Sequence, residues 1–206
     1  MSKVILMSLE SVVAQKLVKE YSSKNPKIIF IKTASNVEEG DLSWLDEVYK
    51  SMKNVGFDLI LYDLEGKTIE DFEKDFQDVD GIHLGGGVPD YLLYHVRKSG
   101  LDIFLKNNKE NFIISGASAG AMVISSSIEN SLSWDWVDVE LDSYEGLGFV
   151  NFEILPHYGD NSHKKSVVKC FEESTKLENN GMYLTDYAYI VVENGWFKLT
   201  DVRDNK

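Results

Sequence analysis

Short, almost unbroken apolar runs recur through the first half of the chain, and each is followed by a stretch of helical period. This alternation is the strongest constraint on the fold. A strand that is apolar along its whole length has no face for water, and parallel strands covered by helices on both sides have that character. The runs are residues 4–9, 27–32 (KIIFIK), 58–62 (DLILY), 82–84 and 112–115 (FIIS). Between them, residues 12–21, 42–52, 69–76 and 91–105 read as helices. In the second of these, Leu42, Trp44, Leu45, Val48 and Met52 recur at spacings near three and four, which places them on one face. Strand and helix in alternation predict an α/β fold, a doubly wound, mostly parallel sheet flanked by helices with right-handed crossovers.

Beyond residue 118 the pattern changes. Residues 134–139, 149–155, 182–185 and 189–193 read as further strands. Asn194-Gly195 between two apolar runs is a type I′ turn signal and predicts a C-terminal β-hairpin. No repeat, low-complexity tract or linker interrupts the chain, so residues 1–206 are expected to form one domain.

Charge and composition narrow the function. With 21 Lys and Arg against 34 Asp and Glu the formal charge is −13. Such a field repels phosphate and argues against nucleic acid and anionic membranes as partners. No apolar run approaches the ~18 residues of a membrane span. The opening MSKVILMSLESVV reads as a strand and the start of a helix rather than a signal peptide. Cys170 is the only cysteine, which excludes an intrachain disulfide and fits a reducing, cytoplasmic setting. A monomer or a homodimer is expected.

The segment with the most chemistry runs from Phe112 through Gly116-Ala117-Ser118-Ala119-Gly120 to Ile124. A buried strand enters a turn made only of small residues, and a helix leaves it. This is the strand–turn–helix context of a nucleophile elbow. Flanking side chains must be small because the turn is tight. The hydroxyl of Ser118 is then lifted out of the sheet beside the N–H of Ala119, a donor for a developing oxyanion. Gly85-Gly86-Gly87 closes the preceding strand, and in a doubly wound sheet that loop lies beside the elbow. A glycine N–H there would be the second oxyanion donor. Neither a Gly-x-Gly-x-x-Gly nor a P-loop lysine is present, so a nucleotide cradle is the weaker reading.

A serine nucleophile needs a base, and the chain holds His83, His95, His157 and His163. His83 reads as packed inside a strand, His95 as a surface residue and His163 as part of a solvated helix start. His157 ends a strand at Pro156-His157, as a crevice residue would. The histidines lack a zinc-binding spacing, and no metal or organic cofactor is implied. The orienting acid is open among Asp135, Asp138, Glu140, Asp142, Glu145, Asp160, Asp186 and Glu193. Glu193 stands out because it closes the apolar strand Tyr189-Ala-Tyr-Ile-Val-Val.

Taken together, these residues resemble the peptidase E (aspartyl dipeptidase) family of serine peptidases, whose fold is similar to that of class I glutamine amidotransferases. The matching pieces are Gly85-Gly86-Gly87 with Tyr91-Leu-Leu93, Gly116-Ala-Ser-Ala-Gly120, Glu145-Gly-Leu-Gly148, Leu155-Pro-His-Tyr158 and Val192-Glu-Asn-Gly195. The resemblance implies Ser118 as nucleophile, His157 as general base and Glu193 as acid, with Asp135 as the alternative acid. It implies an oxyanion hole of Gly86 or Gly87 with Ala119, and a short peptide as substrate. Two departures stand out. Val88-Pro89 replaces the family's usual Asn-Thr after the glycines. Where aspartate-selective members carry an arginine after the histidine, residues 161–173 offer only Lys164, Lys165 and Lys169. Lysine is a flexible point charge rather than a fork, so selectivity for an N-terminal aspartate is expected to be weak. Two rival readings are an α/β-hydrolase-type esterase, suggested by His83-Leu-Gly-Gly-Gly, and a non-catalytic binding module on the same fold.

Overall fold

The computed structural model of the chain describes residues 3–131, 137, 139–165, 167–169, 172 and 180–203. Five parallel strands come first, β1 (Lys3–Met7), β2 (Lys27–Ile31), β3 (Asp58–Tyr62), β4 (Gly81–Leu84) and β5 (Ile113–Ala117). Between them lie α1 (Glu10–Leu17), α2 (Ser43–Asn54), α3 (Ile69–Asp75), α4 (Pro89–Ser99) and α5 (Leu101–Asn108). Helix α6 (Ala119–Ile124) leaves β5 at once. The short strands β6 (Glu153–Leu155) and β7 (Gly181–Tyr183) pair parallel in a second sheet. Strands β8 (Ala188–Glu193) and β9 (Trp196–Asp201) return to the main sheet as an antiparallel hairpin. The main sheet has seven strands in the order β3-β2-β4-β5-β1-β8-β9.

Alternate residues of each central strand feed two cores. Val4 and Leu6, Ile29 and Ile31, and Ile82 and Leu84 pack with α4, α5 and α6 on one face. Ile5 and Met7, Ile28 and Phe30 pack with Val13 and Leu17 of α1 and Val48 and Met52 of α2 on the other. Both faces are covered, which is why these strands carry no polar period.

Local differences from the sequence expectation have local causes. The helix expected over 91–105 is two helices, because Gly100 adopts φ +78° and ends α4 before α5 begins. Pro89 opens α4, where a missing N–H costs no helical bond. The strand expected over 149–155 is ordered as β only from Glu153. Most of the strand expected over 134–139 lies outside the described residues. The hairpin turn is as expected, with positive φ at both Asn194 (54°) and Gly195 (78°).

Candidate active site

The elbow is a strained turn held from both sides. Ala117 pairs with Met7, and the Ser118 N–H continues the ladder by donating to the Met7 carbonyl at 3.0 Å. Ser118 then takes φ 48° and ψ −117°, a conformation rare for a residue with a Cβ and one that persists only where its surroundings impose it. Its carbonyl accepts the N–H of Met122 and starts α6. The need for a small residue is sharpest at Gly120, where a Cβ would stand 1.9 Å from the Leu84 carbonyl oxygen. Gly120→Ala is therefore expected to cost ~3 kcal/mol of stability by forcing α6 off β4. Urea unfolding of the purified variant would measure it.

The glycine loop lies against this turn. A Cβ on Gly86 would meet the Ser118 Cβ at 3.4 Å. Gly87 has φ 131°, and a Cβ there would lie 2.3 Å from the Ala34 carbonyl oxygen, so only glycine fits. Val88 closes the loop by donating to that same carbonyl at 2.8 Å. Among the described residues, the N–H groups of Gly86, Gly87 and Ala119 make no hydrogen bond.

The parallel pair β6–β7 brings an imidazole and a carboxylate together. Its register sets Leu155 opposite Tyr183, so the segments that follow leave the sheet side by side. The first carries His157, at φ 62°, and the second carries Asp186. His157 Nδ1 lies 2.7 Å from Asp186 Oδ1, and His157 Nε2 lies 2.9 Å from Ser118 Oγ. A carboxylate can only accept, so Nδ1–H donates to Asp186 and Nε2 is left to accept the Ser118 hydroxyl. Ser8, fully buried just after β1, ties the arrangement together. Its hydroxyl donates to the Leu184 carbonyl at 2.7 Å and accepts the His157 N–H at 3.2 Å.

The acid position corrects the sequence expectation. Glu193 does not reach His157. Strand β8 runs antiparallel to β1, with Glu193 opposite Lys3 and Tyr189 opposite Met7. Glu193 is thus at the far end of the sheet, about 13 Å along the strand from the elbow. Asp186, just before β8, stands at the near end. Asp135 lies outside the described residues.

One histidine differs from expectation, and His163, at a solvated helix start as expected, has a further contact. His95 is buried between the rings of Tyr91 and Tyr94 rather than on the surface. His163 stacks on His157 with ring centroids 4.5 Å apart, and its Nδ1 lies 2.8 Å from Asp160. His83 is packed as expected, but among polar partners. Its Nε2–H donates to Glu10 Oε1 at 3.1 Å, and its Nδ1 accepts from Ser115 Oγ at 2.9 Å.

A cleft of about 600 Å³ opens over Ser118 and His157. Its walls include Ser8, Leu9, Trp44, Gly86 and Gly87, with the carboxylates of Glu10, Glu38, Asp160 and Asp186. Burial raises the Glu38 carboxyl above its ordinary value, against the opposing pull of a Trp44 hydrogen bond and of His163. The Asp160 carboxyl is held down at about 2 by bonds from Ser162 and His163. Among the described residues no lysine or arginine lines the cleft. Lys164 and Lys165 are exposed, and Lys164 borders a separate hollow with Tyr158 and Val168.

Fold and site together define a doubly wound α/β protein with a serine at a strained elbow, bonded to a histidine. Residues 4–200 match Peptidase family S51, and the chain belongs to that family. It is 28% identical over 160 residues to the uncharacterized peptidase Lin0382 of Listeria innocua, covering 76% of each chain. It is 27% identical over 157 residues to the uncharacterized peptidase Lmo0363 of Listeria monocytogenes, covering 75% of this chain and 76% of that one. Its fold superposes on the crystal structure of a peptidase E-like protein from L. monocytogenes EGD-e with a TM-score of 0.86, at 22% identity and 98% coverage of both chains. A peptidase from an acI-B1 actinobacterium gives a TM-score of 0.71 at 20% identity, covering 98% of this chain and 88% of that one.

Proposed function

We propose that the protein is a serine peptidase that cleaves short peptides through an acyl-enzyme, with Ser118, His157 and Asp186 as its triad. The observation that carries this reading is the single imidazole bonded at once to the elbow serine and to a carboxylate. Ser118 Oγ attacks the scissile carbonyl and its proton passes to His157 Nε2. The N–H groups of Gly86 or Gly87 and of Ala119 receive the oxyanion of the tetrahedral intermediate. Collapse breaks the C–N bond, and His157 returns the proton to the leaving amine. Water, activated by the same imidazole, then releases the acyl group. Asp186 keeps the ring in the tautomer that accepts from serine and stabilises the imidazolium. Release of free amine from a dipeptide library tests the reading, and no turnover of any member by an enzyme that binds them would overturn it.

The cleft also bears on selectivity. A substrate carboxylate would enter among Glu10, Glu38 and Asp160 with no lysine or arginine among the described lining residues to offset them. The exposed Lys164 and Lys165 contribute at most ~1 kcal/mol, about fivefold. Asp-Leu is therefore expected to be cleaved no more than about fivefold better than Ala-Leu. A preference for Asp-Leu above ~100-fold in kcat/KM would contradict the prediction.

A further inference from the structure

The cleft contains one carboxylate whose burial the catalytic steps above do not use. Glu10 opens α1 and lines the same cleft as Ser118, yet it is only 2% exposed. A carboxylate taken out of water must be compensated by partners. Its side-chain partner among the described residues is His83, which satisfies one of the two oxygens. A carboxylate has about four acceptor sites.

His83 is itself held by a buried chain. Tyr21 donates to Ser115 Oγ at 3.3 Å, and Ser115 donates to His83 Nδ1. The sequence of atoms, Ser115–His83–Glu10, repeats that of Ser118–His157–Asp186. Here, however, neither Ser115 nor His83 lines the cleft, whereas Glu10 does, so the end of this chain that meets a substrate is the carboxylate. What the chain fixes is the position of the Glu10 carboxylate. Ser115 faces His83 in the β4–β5 register and precedes Ser118 by three residues, about 10 Å of extended strand. Glu10 and Ser118 line one cleft, so a group carried on a residue whose carbonyl Ser118 attacks faces both. Trp44, on the same cleft, offers an apolar face for an alkyl chain.

We infer that Glu10 is a specificity-determining residue that receives a cationic nitrogen of the substrate, an α-ammonium or a side-chain ammonium. The inference rests on the peptidase reading and names the substrate class it serves, short peptides that carry a positive charge near the scissile bond. Such a nitrogen supplies the charge-assisted bonds that His83 alone leaves unmade.

The test compares Ala-Leu, N-acetyl-Ala-Leu and N-acetyl-Lys-Leu on the wild type and on Glu10→Gln, which keeps an acceptor for His83. At least one cationic substrate is expected to exceed N-acetyl-Ala-Leu by about 10–100-fold in kcat/KM. Ala-Leu alone leading assigns the α-ammonium, and N-acetyl-Lys-Leu leading assigns the side chain. In Glu10→Gln the ratio should fall to within about threefold of unity, because an amide cannot pair a full charge. Equal rates on all three substrates in the wild type, or an unchanged ratio in the variant, would overturn the inference. A measurement on the wild type alone needs neither a folded variant nor a good substrate. n-Butylammonium should slow fluorophosphonate labelling of Ser118 competitively while n-butanol does not, and equal effects of the two would overturn the inference. Absence of labelling altogether is the distinct result that brings down the peptidase reading and this inference with it.

Discussion

Ser118→Ala is expected to lower kcat by about 10⁶, the scale of loss when a nucleophile is removed from a triad that acts as a unit. The thermal midpoint should barely move. The hydroxyl is partly exposed, and its side-chain bond is the one to His157. Alanine bears the same positive φ as serine and relieves none of the strain. Loss of turnover with an unchanged melting curve assigns the effect to chemistry. Retained turnover would remove Ser118 from the mechanism.

Asp186→Asn is expected to lower kcat by about 10²–10⁴ while leaving KM nearly unchanged. An amide at 186 can donate to Nδ1, which favours the tautomer with its proton on Nε2, pointing at Ser118. The base is then blocked rather than missing. Glu193→Gln should leave kcat within about twofold, as expected for an exposed charge far from the reacting atoms. Steady-state kinetics on both variants decide between the two acids. The reverse ranking would show that the antiparallel placement of β8 does not determine which acid serves His157.

That placement also explains how far the site could be read from sequence. Strands β1, β2, β4 and β5 were legible because they are buried on both faces and therefore largely apolar, and the edge strand β3 was legible from its apolar run although Leu61 is exposed. The elbow was legible because Gly116, Ala117, Ala119 and Gly120 are all small, and at Gly116 and Gly120 a Cβ would collide with neighbouring backbone. His157 was legible as a strand-end residue, although the two strands that aim it, β6 and β7, have three residues each and give almost no periodic signal.

The carboxylate bonded to His157 differs from the Glu193 that the resemblance implied, and the reason is topological. Only the C-terminal end of a strand parallel to β1 would bring a residue such as Glu193 to the crevice. Strand β8 enters the sheet reversed, so the crevice receives its N-terminal side and with it Asp186. The Asn194-Gly195 turn already required β8 and β9 to be antiparallel to each other. It did not say which of the two would run with β1. Ser8 left no signal either, since a lone serine after a strand has many ordinary uses, and its role depends on Leu184 and His157 arriving from distant parts of the chain. The Glu10–His83–Ser115 chain was equally hidden, because each member sits in a different element.

In this mechanism one hydroxyl, that of Ser118 at the elbow, is the activated nucleophile. Intact-mass spectrometry after treatment with a fluorophosphonate, followed by peptide mapping, tests it most directly. A single adduct is expected, located on Ser118, that forms far more slowly in His157→Gln. No adduct on the folded wild-type protein, or an adduct confined to another residue, would contradict it.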